Sequence, residues 1–140
     1  MTTPVAICDL VHRYCDAVVR KDREQWAATW SPDATWDLGR GRLMHGREAI
    51  VDYWVGAVDA FDCVVQLAHN GEAVVDGVRG TGRWYISEHM QRRDGSNGLL
   101  LAFYDDEYAH VDGQWLFANR SITVLYRGPA DLGAPFTPVG

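Results

Sequence analysis

The sequence predicts an α+β fold, in which a curved sheet wraps over helices and leaves a blind cavity between the two layers. Three observations point there. Apolar residues recur at helical spacing through the first 58 positions, the chain beyond them reads almost wholly as strand, and Asp76-Gly77 and Asp112-Gly113 are two-residue hairpin signals. With 140 residues, 47% of them hydrophobic, the chain suits one domain spanning 1–140.

Residues 4–20 form the first predicted helix. Ile7, Leu10, Val11, Tyr14, Cys15 and Val18 make one apolar stripe, and Pro4 suits a first turn. Asp22 opens a second, short helix through the capping-box pattern Asp22-x-x-Gln25; Trp26 and Trp30 lie on one face of it, and Ser31-Pro32 ends it. Residues 34–46 read as two short strands around Gly39-Arg40-Gly41, and residues 47–58 as a third helix carrying Ile50, Val51, Trp54 and Val58. Two hairpins follow, separated by the loop at 92–98, and the Pro- and Gly-rich tail at 127–140 should be irregular.

The net charge is -6 and no basic stripe occurs, which argues against nucleic acid as a partner. No apolar run reaches the roughly 20 residues of a membrane span, and the first ten residues do not have the character of a signal peptide. Cys8, Cys15 and Cys63 form no CxxC pair, which fits a reducing, cytoplasmic setting. The five His show no HxH or HExxH spacing, so a metal site is not expected.

A two-residue turn fixes register. The Asp112-Gly113 turn sets Asp105 opposite Arg120, Tyr108 opposite Phe117 and His110 opposite Trp115. The Asp105–Arg120 pair reads either as a register-fixing salt bridge or as an oriented Arg that holds a carbonyl or carboxylate. The aromatic face beside it is suited to burial against a second subunit. The Asp76-Gly77 turn sets Leu67 opposite Ile86, His69 opposite Trp84, Val65 opposite Glu88 and Gln66 opposite Ser87. Hydrophobicity alone makes Leu67, Trp84 and Ile86 the core face and turns Gln66 away from it. A bulge near Asn70-Gly71 would shift the register by one residue, so the sequence leaves this parity open. A buried amide must be hydrogen-bonded, so Gln66, set in an apolar run, is a structural tie, a ligand contact or part of a reaction site.

Read in order, the chain shows Tyr14; Asp22 with Trp26 and Trp30; SPDATW at 31–36; GREAI at 46–50; Gln66 with Asn70; VVDG at 74–77; GRWYI at 82–86; YDDEY at 104–108; DGQW at 112–115; and Arg120. This series resembles the SnoaL-like branch of the nuclear transport factor 2-like superfamily over about residues 4–127. The resemblance implies a cone: a strongly bent mixed sheet around three helices, usually in a homodimer. Members include polyketide cyclases, scytalone dehydratase, a hexachlorocyclohexane dehydrochlorinase, bile-acid dehydratase and ketosteroid isomerase. Their shared theme is proton transfer on a small hydrophobic ligand without metal or organic cofactor. Several use an Asp–His pair, and the corresponding places here hold Val19 and Gln66. Valine has no proton to exchange, and an amide is no base near neutral pH.

Two functional expectations follow. In the first, the chain is a dehydratase, isomerase or cyclase acting on a hydrophobic carbonyl-bearing molecule. Tyr14 and Gln66 polarise its oxygen, Arg120 orients it, and Asp22 or His69 moves the proton; Trp30, Trp36, Tyr53, Trp84, Glu88, Asp105 and Arg120 line the pocket. Each of these has a plainer reading: Asp22 as an N-cap, His69 as a structural histidine, Tyr14 and the tryptophans as core, and Glu88 as an acid of raised pKa only if buried. In the second, the chain is a binding module for a small ligand or partner protein that lacks the Asp–His pair.

Overall fold

The computed structural model describes residues 2–140. Helices α1 (Val5–Arg20), α2 (Arg23–Ala27) and α3 (Arg47–Asp59) alternate with strands β1 (Trp30–Asp37) and β2 (Leu43–His45), and four long strands follow: β3 (Phe61–Asp76), β4 (Arg79–Arg92), β5 (Asn97–Val111) and β6 (Gln114–Gly128). They form one six-stranded sheet in the order β2-β1-β6-β5-β4-β3. All neighbours are antiparallel except β1 and β6, which run parallel. The sheet is therefore mixed, and the segment after Arg92 is a tight link between the paired strands β4 and β5.

α1 buries the stripe its spacing predicts, including Ile7, Leu10, Val11, Tyr14, Cys15 and Val18. It ends in a Schellman turn with Lys21 left-handed at φ 53°. The amides of Lys21 and Asp22 return to the carbonyls of Val18 and Ala17. Asp22 then caps α2 by accepting the Gln25 amide at 3.0 Å. The box is only half closed, because the Gln25 side chain reaches instead to the Arg13 carbonyl and Asp16. α2 stops at Ala27, so Trp30 is not helical as its spacing from Trp26 suggests; it is the first residue of β1. Both tryptophans are nevertheless fully buried. The β1–β2 link passes through Gly39, Arg40 and Gly41, all left-handed with φ between 54 and 77°, which is why glycine stands at two of the three places.

Two bulges decide which side chains enter the cone. The β3–β4 hairpin closes on Asp76 and Arg79, one residue later than the Asp76-Gly77 signal implies, and its register slips between Ala68 and Gly71. Gln66 therefore sits opposite Glu88, Leu67 opposite Ser87 and Gly71 opposite Trp84. Val64 and Gln66 are buried while Leu67 is 45% exposed, the reverse of the face that hydrophobicity favours. In the β5–β6 hairpin the slip between Glu107 and Tyr108 sets Asp106, not Asp105, opposite Arg120. The expected pairs Tyr108–Phe117 and His110–Trp115 are present. Tyr108 and Phe117, however, are 0% exposed and belong to the core rather than to a face free for a partner.

Candidate functional site

The sheet's inner face is assembled from alternate residues of its long strands: Val64 and Gln66 on β3; Trp84, Ile86 and Glu88 on β4; Leu100, Ala102, Tyr104, Asp106 and Tyr108 on β5; Phe117 and Arg120 on β6. α1 lies against it, chiefly on β3 and also on β6. One end is packed with aromatic rings. Trp26 stacks on Trp54 at 4.3 Å and meets Trp30 and Trp36 at 5.6 and 5.4 Å. Tyr14 closes the group against Trp26, Trp30, Tyr104 and Phe117. The indole Nε1 atoms of Trp26, Trp30 and Trp36 are buried without a hydrogen-bond partner.

Arg120 lies in this interior at 1% exposure. Its Nε and Nη2 donate to the two carboxylate oxygens of Asp106 at 2.7 and 3.2 Å. Its guanidinium lies 3.8 Å from the Tyr104 ring centre, 4.1 Å from Phe117 and 4.5 Å from Tyr14. Asp106 also accepts from the Tyr108 hydroxyl at 2.8 Å, which in turn accepts from Trp84 Nε1 at 2.9 Å. Burial alone would lower the Arg120 pKa, but the Asp106 carboxylate beside it prevails and holds it above its ordinary value, so the side chain stays charged. Tyr14 and Tyr104 are pushed up by burial and remain protonated donors.

A second polar group joins α1, β3 and β4. Gln66, 4% exposed, donates from Nε2 to Glu88 Oε2 at 3.2 Å, and its Oε1 accepts from Cys15 Sγ at 3.4 Å. Burial raises the Glu88 pKa above the usual glutamate value, opposed by the Gln66 hydrogen bond and the charge of Arg127. Burial likewise pushes the Cys15 thiol up to about 11, so it donates as a neutral S–H. Met90 packs against both apolar clusters of the interior. The larger holds Tyr14, Cys15 and Phe117; the smaller holds Ile86, Leu100, Ala102 and Tyr104.

The candidates separate accordingly. Tyr14, Gln66, Trp30, Trp36, Trp84, Glu88 and Arg120 all face the interior. Tyr53 is 39% exposed and touches it only edge-on, through Trp36 at 6.0 Å. Three expectations are corrected. Asp22 sits at the helix junction, capping α2 and paired with Arg20 at 3.2 Å, and does not reach the interior. His69 lies exposed at the β3 bulge, its Nε2 2.7 Å from Ser87 Oγ on the outer side. Asp105 points outward and pairs with Arg83 at 2.8 Å, because the bulge passes the Arg120 contact to Asp106. Sequence reasoning missed Asp106. The YDDEY run offered both aspartates, and only the bulge chooses between them.

The recesses on the surface lie elsewhere. One, about 740 Å³, is lined by Val74, Thr81, Glu107, Tyr108 and Ala118 near the β3–β4 turn. Another lies between α2 and α3, beside Arg23, Pro32 and Arg47. Neither is lined by Tyr14, Gln66, Glu88 or Arg120. Among the described residues no group of three or more His, Cys, Asp or Glu is arranged to hold a metal ion. No helix among them is long and apolar enough to cross a membrane.

The SnoaL-like domain profile matches residues 2–121. The chain belongs to the SnoaL-like family. Solved structures share its fold. A hexachlorocyclohexane dehydrochlorinase (LinA type 2) is 22% identical with a TM-score of 0.82, the match covering 97% of this chain and 93% of that one. A protein provisionally named scytalone dehydratase, from Novosphingobium aromaticivorans, is 20% identical with a TM-score of 0.85, over 96% and 91% of the two chains. Rv3472 from Mycobacterium tuberculosis, of unknown function, is 26% identical with a TM-score of 0.77, over 86% and 74%. The chain thus has the α+β cone of this SnoaL-like family, a fold it shares with a dehydrochlorinase.

Proposed function

We propose that this protein catalyses cofactor-independent proton transfer on a small hydrophobic, carbonyl-bearing molecule, in the manner of a dehydratase, isomerase or cyclase. The observation that carries the reading is the donor set on the inner wall: Arg120, fixed by Asp106, with the Tyr14 and Tyr104 rings against its guanidinium. Removing a proton beside a carbonyl builds negative charge on its oxygen. Donors held in place in a low-dielectric interior stabilise that charge without reorganising. Tyr14 and Tyr104 supply hydroxyl donors that do not ionise near neutral pH. Asp22 and His69 leave the mechanism, since neither faces the interior.

The test uses cyclohex-3-enone, whose conversion to the conjugated enone is followed by ultraviolet absorbance. Turnover is expected. Tyr14→Phe should lower it by about 10²-fold, as for the loss of one oxyanion donor. A folded protein that does not turn it over contradicts the reading.

A second reading, a binding module without catalysis, is favoured by Val19 and Gln66 standing where related enzymes carry Asp and His. Its distinguishing result is activity that appears only in the double variant Val19→Asp/Gln66→His. The homodimer implied by the resemblance belongs to the same proposal. Sedimentation at micromolar concentration checks it, and a monomer contradicts it.

A further inference from the structure

Two carboxylates on β4 to β6 point into the cone, Asp106 and Glu88. Asp106 is fully committed, accepting twice from Arg120 and once from Tyr108. Glu88 accepts one hydrogen bond among the described residues, from Gln66, and that bond falls on Oε2. Gln66 is itself held by Cys15, so its amide is turned with nitrogen toward the carboxyl and oxygen toward the thiol. The other charged and titratable groups that act on this assembly are Arg127 and Arg120 from β6, Tyr104 from β5 and Cys15 from α1.

Glu88 is itself only partly buried. Beyond it on the inner side of β4 is Met90, and across the sheet are Ile122 and Val124; all three are only partly buried and all pack on the smaller apolar cluster. Val19, one helical turn after Cys15 on the same face of α1, is 41% exposed. Partly buried apolar side chains thus neighbour a carboxyl of which one oxygen accepts no hydrogen bond among the described residues.

We propose that Glu88 is the group that takes and returns the substrate proton in this chain, with Gln66 as its positioning residue. The assignment rests on the proton-transfer reading above. The related enzymes' Asp–His pair is replaced by a different pair drawn from neighbouring strands. The Glu88 carboxylate removes a proton from the carbon beside a carbonyl, and the C–H electron pair moves into the enolate, whose oxygen faces the donor set. In an isomerisation the carboxyl returns the same proton to the distal carbon. In a dehydration it gives the proton to the departing hydroxyl, which leaves as water while the C=C bond forms. No other reactant is consumed.

The probe is 5-nitrobenzisoxazole, a small apolar carbon acid. Loss of its C3 proton breaks the N–O bond, the electron pair completes a nitrile, and the product is a coloured phenolate. A partly desolvated carboxylate should open it faster than acetate at equal pH, with a rate that rises with pH to an inflection above the ordinary carboxylate range. Glu88→Gln should fall to the buffer rate. Gln66→Leu removes a hydrogen bond to the charged form, so its inflection should move to higher pH while the plateau rate survives; a merely structural Gln66 would leave the inflection in place. Stability supplies a readout independent of turnover. A raised folded-state pKa means that wild type loses stability relative to Glu88→Gln as pH rises from the usual glutamate value through the folded one. A difference between the two that stays flat with pH overturns the proposal. If Glu88→Gln retains wild-type turnover of cyclohex-3-enone or the benzisoxazole, Glu88 is excluded while the proton-transfer reading stands. If wild type turns over neither compound, both fall.

Discussion

Removing the Asp106 carboxylate should destabilise the protein by about 4 kcal/mol, an estimate that starts from the usual cost of breaking a buried pair from one side, about 3–5 kcal/mol. The pair is dry, with side-chain exposures of 1% for Arg120 and 0% for Asp106. In Asp106→Leu the guanidinium keeps its three aromatic neighbours, but these already act in the wild type and offer no compensation. The Tyr108 hydroxyl also loses its acceptor, a further cost on the order of 1 kcal/mol. Against a total stability of roughly 5–15 kcal/mol, this should lower the melting temperature by about 15 °C. The double variant Asp106→Leu/Arg120→Met removes both charges and should recover to within about 2 kcal/mol of wild type. Urea unfolding of the two single variants and the double variant closes the cycle. A single-variant cost below about 1 kcal/mol, or a double variant as weak as the two singles summed, refutes the claim that this pair organises the interior.

Three further outcomes are expected. Asp22→Ala should cost about 1 kcal/mol in urea unfolding, as for a lost N-cap, and leave turnover unchanged, since the residue caps α2 and does not face the interior. Gly71→Ala should cost about 1–3 kcal/mol, because its Cβ would stand 2.4 Å from Trp84 Cε3 and 2.6 Å from the Arg83 carbonyl oxygen; equal stability would mean that the β3 bulge yields freely. With a thiol-reactive disulfide at about pH 8, exposed Cys63 should react at once and buried Cys15, its pKa near 11, only on unfolding.

Much of the fold was legible because it depends on periodicity and punctuation. The stripe from Ile7 to Val18, the Asp22 cap, the Gly39-Arg40-Gly41 turn and both hairpins all follow local rules. What escaped is parity. A strand with one extra residue turns every side chain beyond it to the opposite face. The extra residue in β3 between Ala68 and Gly71 therefore turned Gln66 inward and Leu67 outward, and the extra residue in β6 between Phe117 and Asn119 brought Arg120 onto the face of Asp106 instead of Asp105. Their signals in the sequence are slight: Gly71 leaves room for the Trp84 ring, and two adjacent aspartates leave the choice of partner open. The order of motifs identified the family that the profile match establishes. It did not show which carboxyl the interior would leave free, since that depends on hydrogen bonds among Cys15, Gln66 and Glu88 on three separate elements.

The most direct measurement is a ¹³C NMR titration of the Glu88 carboxyl, assigned by its absence in Glu88→Gln and repeated in Gln66→Leu. A partly shielded carboxyl held by one amide should titrate above the ordinary glutamate value in wild type, and higher again once the amide is gone. An ordinary glutamate titration, unmoved by the change at position 66, would contradict the account.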